Sequence, residues 1–195
     1  MTEFELYFGL GKDHILDYKN GYDHILFVVA LCALYLIADW RRVLVLITAF
    51  TIGHSITLAL STLNIISVNV ALIEFLIPLT IFITAVSNIF KNEETLTKRA
   101  IQINYFYALF FGLIHGMGFS TYLKSILGRN ENIIIQLFSF NIGLELGQII
   151  IVLIFLATSF ILVNLCGVAR RDWKLVISSA TAGIALILMK DKIFW

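Results

Sequence analysis

The sequence has few charged residues, two cysteines and a single proline. Lysine, arginine, aspartate and glutamate make up only 14% of its 195 residues, whereas a soluble domain has about 25%. The net charge of +1 and the lack of a long basic run give no basis for a nucleic-acid partner. Cys32 and Cys166 lie far apart in apolar sequence without a CxxC pattern, so we expect neither a disulfide nor a cysteine metal site.

The N-terminal stretch also lacks the pattern of a cleavable signal peptide. The sequence MTEFELYFGLGKDH is acidic, and it has no basic region followed by an apolar run. We therefore expect the first membrane span to act as the targeting signal. Residues 1–21 are predicted to form an extracytoplasmic segment in front of the bundle.

Apolar residues dominate the chain, at 59% of the sequence with a mean hydropathy of +0.92. A helix needs roughly 20 mostly apolar residues to cross the hydrocarbon core, and the connections between such segments are short here. The sequence therefore predicts an all-α, polytopic membrane bundle in a single domain, 1–195, with about six spans over residues 22–190. The predicted spans are 22–39, 43–62, 69–90, 102–124, 134–164 and 174–190.

Lysine and arginine residues indicate the orientation of this bundle. They are more frequent in the connections after the first, third and fifth spans, for example at Arg41, Arg42 and Arg170. Because such residues collect on the cytoplasmic side, we predict a multi-pass protein of the cytoplasmic (inner) membrane. Its N-terminus is predicted to be extracytoplasmic.

Ionisable side chains fall within or beside five of the predicted spans. At about 1.5 Å rise per residue, His54, His115 and Glu145 lie near the middle of their spans, and Glu74 lies about 7 Å further out. Such groups are costly at membrane depth and usually face a bundle interior where they have a function. We therefore predict one polar site. Its residues, in order from the N-terminal segment outside the bundle to mid-membrane, are His14, Asp23, His24, Glu74, His54, His115 and Glu145.

Other polar side chains near these positions form a predicted supporting shell. In the fifth span, Glu145 lies between two amide side chains at a spacing of four and three residues, which places all three on one helix face. Gly143 and Gly147 form a GxxxG pattern on an adjoining face, which permits close helix contact and thus a homo-oligomer. The predicted shell is Asn141, Gln148, Ser55 and Thr51.

Imidazole and carboxylate groups together favour a divalent transition-metal ion: Ni, Zn, Co, Fe or Cu. Three histidines with one or two carboxylates would fill four to six coordination positions. A haem held by His54 and His115 is a weaker alternative, because it would leave Glu74 and Glu145 without a role.

Five sequence blocks that contain these residues resemble the HupE/UreJ family of small membrane proteins. The resemblance extends from about Phe8 to the end of the fifth span. It implies a nickel or cobalt permease associated with hydrogenase and urease maturation proteins. It also implies that the histidines, Asp23 and the two membrane glutamates correspond to the family's own motif positions. The blocks are HILDYKNGYDHILFVVAL, FTIGHSITLAL, the IEF around Glu74, FGLIHGMGFS and FNIGLELGQ.

Three functions are compatible with this site. The first is transport of a transition-metal ion, with nickel favoured, from the outside of the cell to the inside. The second is an intramembrane metal-dependent hydrolase acting on a lipid or a membrane peptide, with one metal position open for water. The third is an accessory protein or sensor that binds the metal without moving it. The partners expected for all three are a metal ion and the lipid bilayer.

Overall fold

The computed structural model describes residues 2–18, 21–91, 98–126 and 133–194. All regular structure in these residues is helical, which confirms the predicted all-α fold. A 3₁₀ turn (Ile37–Asp39) precedes the third helix, and a π-helical turn (Phe160–Leu165) extends the sixth. The α-helices are α1 (Glu3–Leu16), α2 (Tyr22–Cys32), α3 (Trp40–Thr62), α4 (Val70–Phe90), α5 (Lys98–Ile126), α6 (Ile133–Ser159) and α7 (Arg170–Asp191).

Within the described parts of the chain, four helical segments are long and apolar enough to cross a membrane. They are Ile37–Thr62, Val70–Phe90, Ile133–Leu165 and Arg170–Asp191. Large apolar side chains point outward from the bundle, as in Phe106 with 64% of its surface exposed, which suits a surrounding of lipid. The protein is therefore a membrane protein, and the predicted count of six spans is compatible with the helices but stays a prediction.

Helices α3 and α5 lie backbone to backbone and run in the same direction. Gly53 of α3 packs on Leu109 of α5, while Gly112 of α5 packs on Phe50 of α3. A Cβ atom at Gly112 would overlap the Phe50 carbonyl oxygen. Because glycine has no side chain, the two helix backbones approach as closely as helices in membranes do at small-residue contacts.

Helix α1 forms a second close contact of this kind, with α6. Gly11 packs against the Phe140 backbone, and Gly143 packs against the Phe8 backbone. The helix starts at a capping box, in which the Glu5 amide donates to Thr2 Oγ1 and the Thr2 amide donates to Glu5 Oε2. Most of the predicted extracytoplasmic segment, 1–21, is therefore a helix that belongs to the bundle.

The first predicted span, 22–39, is not one continuous helix. Helix α2 ends at Cys32, and the next residues form a non-helical connection. The Arg170 guanidinium donates to the Leu34 carbonyl oxygen at 3.0 Å, and the Asn104 amide donates to the Tyr35 hydroxyl at 3.0 Å. These partners come from distant parts of the chain. The length of the apolar run 22–39 therefore does not predict that the helix ends at Cys32.

The bundle has two ends of different character. The end where α4 begins and α7 stops is called the cavity end here, and Lys192 Nζ lies 2.9 Å from Glu74 Oε2 there. The opposite end is called the basic end, and Lys174 Nζ donates to the Lys91 carbonyl oxygen there at 2.7 Å. Helix α2 runs alongside α4 toward the basic end, where Asn88 Nδ2 donates to the α2 carbonyl of Ala30 at 2.7 Å.

We expect Gly112→Ala to destabilise the protein, because the added methyl group forces α3 and α5 apart. Overpacking of this kind costs about 1–3 kcal/mol, which thermal unfolding of the detergent-solubilised protein would detect. Gly183→Ala is the matched control, since a Cβ atom at Gly183 meets nothing within 4 Å. Equal melting temperatures for the two variants would contradict the proposed close contact.

Candidate metal site

Four histidines from four different helices meet inside the bundle, and they are called the histidine cluster here. His14 lies in the last turn of α1 and His24 in the first turn of α2, on either side of the short connection between these helices. One potential ligand atom each of His14, His24 and His54 lies within 4.8 Å of the other two. Two nitrogens bound to one ion at about 2.1 Å lie up to about 4.2 Å apart, so a small inward shift lets this trio hold a single ion.

His115 of α5 completes the cluster. Its ring centroid lies 5.4 Å from that of His24, and its Nε2 atom lies 3.3 Å from Thr80 Oγ1. The close α3–α5 contact explains this placement, because Gly116 beside His115 packs directly on the backbone of His54.

The imidazole nitrogens of the cluster are poorly satisfied by the protein. Among the described residues, no hydrogen-bond partner is found for His14 Nε2, His24 Nε2, His115 Nδ1 or either ring nitrogen of His54. Buried polar atoms are nearly always hydrogen-bonded, and imidazole nitrogen is a common ligand of divalent transition metals. The donor set therefore fits a divalent transition-metal ion.

Asp23 is placed to orient His24. Its Oδ1 atom lies 2.9 Å from His24 Nδ1 and accepts a hydrogen bond from the His24 amide at 2.9 Å. A carboxylate on one ring nitrogen holds the imidazole in one orientation and makes the other nitrogen a better ligand. This arrangement leaves His24 Nε2, which has no hydrogen-bond partner among the described residues, available as a ligand.

A cavity of about 580 Å³, called the first cavity here, gives access to the histidine cluster. His14, His24 and His115 line it, and so do Glu74 and Lys192, which mark the cavity end of the bundle. Carboxylates are frequent on its wall, and their field raises the local concentration of cations. The acidic lining residues are Asp13, Asp17, Asp23 and Glu74.

A comparison with protein families agrees with this arrangement. The family model described as HupE / UreJ protein matches residues 1–192, which include all four members of the histidine cluster. The chain belongs to the HupE/UreJ family. No curated protein and no solved structure matches this HupE/UreJ chain, so the roles of its residues rest on its own geometry.

The two predicted membrane glutamates of this HupE/UreJ protein lie in different settings. Glu74 is exposed on the wall of the first cavity and paired with Lys192. Glu145 accepts a hydrogen bond from Thr48 Oγ1 at 2.7 Å, and it is not among the described residues that line this cavity. Their assignment as metal ligands stays a prediction.

The predicted supporting shell connects α3 to α6. Thr51 Oγ1 donates to Gln148 Oε1 at 2.9 Å, and Ser55 Oγ donates to the Thr51 carbonyl oxygen at 2.6 Å. The buried Asn141 Oδ1 atom has no hydrogen-bond partner among the described residues. Thr51 and Gln148 therefore hold together the helices that carry His54 and Glu145.

Three residues beside the cluster were absent from the predicted site. Thr80 contacts His115, the Phe119 ring centroid lies 3.9 Å from that of His14, and Asp17 lines the first cavity. Asp17 lies three residues after His14 in one of the family-like blocks, and that spacing could have identified it. Phe119 lies four residues after His115 in another of these blocks, whereas the spacing of Thr80 relates it to no histidine of the cluster.

We expect Asp23→Asn to lower the affinity of the purified protein for Ni²⁺. Loss of a carboxylate behind a ligating histidine typically costs about 10- to 100-fold in metal affinity, which isothermal titration calorimetry can measure. Asp39→Asn is the matched control, because Asp39 pairs with Arg42 at the basic end of the bundle. A similar loss in both variants, or in neither, would show that Asp23 does not orient a ligand.

Proposed function

We propose that this protein transports a divalent transition-metal ion across the cytoplasmic membrane. Nickel is the favoured ion. The observation that supports the proposal most strongly is the histidine cluster at the inner end of an acidic cavity. The family resemblance supports nickel over the other candidate ions. The ion is the cargo in this proposal, and the side chains provide a transient binding site for it.

The arrangement of charges suggests a sequence of contacts for the ion. Carboxylates on the cavity wall, including Glu74 and Asp17, attract the hydrated cation. His14, His24 and His54 then replace water molecules with ring nitrogens, and His115 lies close enough to exchange with them. Because these donors come from separate helices, a small shift of one helix weakens the site and releases the ion.

The membrane potential provides a driving force for inward movement. Each elementary charge gains about 2.3 kcal/mol per 100 mV, and this gain doubles for a divalent ion. The greater frequency of basic residues in the connections at the basic end favours a cytoplasmic location of that end. The cavity end would then face outward, as uptake requires.

A metal-dependent hydrolase is the second candidate, because the first cavity is large. Its volume of about 580 Å³ lies within the range of roughly 300–1,000 Å³ found for small-molecule sites. An ion held by three imidazoles has a position left for water, and such water is activated for attack. Metal-dependent cleavage of a fluorogenic lipid ester by the purified protein, without ion flux, would favour this candidate.

We expect His54→Ala and His115→Ala each to abolish Ni²⁺ uptake into proteoliposomes that contain the purified protein. Each change removes a ring nitrogen from the histidine cluster, whereas the rest of the bundle keeps its packing. Flux is measured with a Ni²⁺-sensitive dye inside the vesicles, and bound nickel is measured by elemental analysis of the same protein.

Thr158→Ala serves as the control variant for this experiment. Thr158 is a polar residue of a candidate membrane-spanning segment, but its side chain is exposed and donates to the Ile154 carbonyl oxygen of its own helix. We expect wild-type uptake from this variant. Normal uptake by either histidine variant would refute the transport proposal, and nickel binding without flux in the wild type would favour an accessory role.

A further inference from the structure

Three phenylalanines lie one helical turn from three members of the histidine cluster, on the side of the basic end. Phe27 follows His24 by three residues on α2, which runs toward the basic end. Phe50 and Phe111 precede His54 and His115 by four residues on α3 and α5, which start at the basic end. One turn is about 5.4 Å of rise, so the three rings form a layer, called the phenylalanine layer here.

The rings of the phenylalanine layer contact one another and the imidazoles. The centroid of Phe27 lies 4.9 Å from that of Phe50 and 6.0 Å from that of Phe111. It also lies 5.0 Å from His115, and Phe50 lies 5.2 Å from the same imidazole. The exposure of Phe27, Phe50 and Phe111 is 0%, 1% and 5%, so the layer is a closely packed apolar wall under the metal site.

A second cavity, of about 70 Å³, lies on the other side of the phenylalanine layer. Leu31 and Leu46 line it, one further turn from Phe27 and Phe50, and Phe111 forms part of its wall. Its polar lining includes Asn88, and it reaches Lys91 at the basic end of α4. The phenylalanine layer therefore lies between the second cavity, which Phe111 lines, and His24 and His115, which line the first.

We propose that Phe27, Phe50 and Phe111 form the gate between the metal site and a vestibule, the second cavity, at the basic end. This inference rests on the proposed transport function and assigns the route that the ion takes after leaving the histidine cluster. An apolar constriction excludes water and thereby blocks ions, because a bare cation in an apolar medium loses its hydration energy. The structure shows the arrangement that is open toward the cavity end and closed toward the basic end.

The polar groups of the second cavity support its assignment as a vestibule for the ion. Asn88 is buried at 3% exposure, and the Lys91 ammonium donates to Asn104 Oδ1 at 2.7 Å. Hydrated ions need such groups on a route through the bundle, and Thr84 and Ser87 add hydroxyls to the same wall. Lys91 also lines this space, and its positive charge disfavours retention of a cation there.

The first experiment tests the gate without requiring transport. In a protein with Cys32→Ala and Cys166→Ala, single cysteines are introduced as Ser87→Cys in the second cavity or Leu188→Cys in the first. A membrane-impermeant thiol reagent is applied to oriented vesicles from either side. We expect Ser87→Cys to react from the basic end only and Leu188→Cys to react from the cavity end only. Labelling of Ser87→Cys from the cavity end would overturn the gate.

The second experiment removes the gate. Phe50→Ala is expected to raise labelling of Ser87→Cys from the cavity end several-fold, and to raise passive Ni²⁺ leak into proteoliposomes several-fold. Phe50→Leu keeps more of the packing and is expected to give a smaller increase, which protects the test against loss of folding. Phe106→Ala is the matched control, because Phe106 lies on α5 with 64% of its surface exposed.

The outcomes separate the gate from the transport proposal. If the wild type shows Ni²⁺ flux but labelling and leak are unchanged in both Phe50 variants, the gate is overturned and the transport proposal stands. Absence of flux in the wild type would refute transport, and the labelling pattern would still decide whether the phenylalanine layer separates the two cavities. One-sided labelling in the wild type that becomes two-sided in the Phe50 variants supports the gate.

Discussion

A buried imidazole nitrogen without a hydrogen-bond partner costs about 1–3 kcal/mol, and the centre of this bundle contains several. His54 is fully buried, and neither of its ring nitrogens has a partner among the described residues. Close packing of α3 on α5 at Gly53 and Gly112 contributes stability that offsets this cost. An incoming cation would bind one ring nitrogen of each histidine, which links the stability of the bundle to its proposed cargo.

The sequence predicted the general architecture and much of the candidate site, because both depend on depth in the bilayer. Apolar length identified helices that could cross a membrane, four of them among the described residues. The rise per residue predicted His54 and His115 at a similar depth, and the structure brings both into the histidine cluster around His24. His14 was placed in an external tail, because α1 is too short and too polar to be recognised as a span. Its position depends on the contact between Gly11 and Phe140, which no local pattern reveals.

The two segments that depart from the predicted spans are those that build the site. Helix α1 enters from the cavity end and stops at Leu16, and α2 starts again at Tyr22 and continues toward the basic end. Helices broken in this way at membrane depth occur where the backbone is buried in protein or lines a cavity. Here the break brings His14 and His24 together although they are ten residues apart in sequence, with ring centroids 4.4 Å apart.

The backbone contact between α3 and α5 fixes the spacing of the two helices that carry His54 and His115. His54 and His115 are fixed relative to each other, since any change in their spacing would have to separate two helices at Gly112 and Gly116. His14 and His24 lie on α1 and α2, whose spacing the α3–α5 contact does not set. Adaptation of such a protein to an ion of different radius would therefore be expected to alter residues 14–24 and to preserve the glycines of α3 and α5.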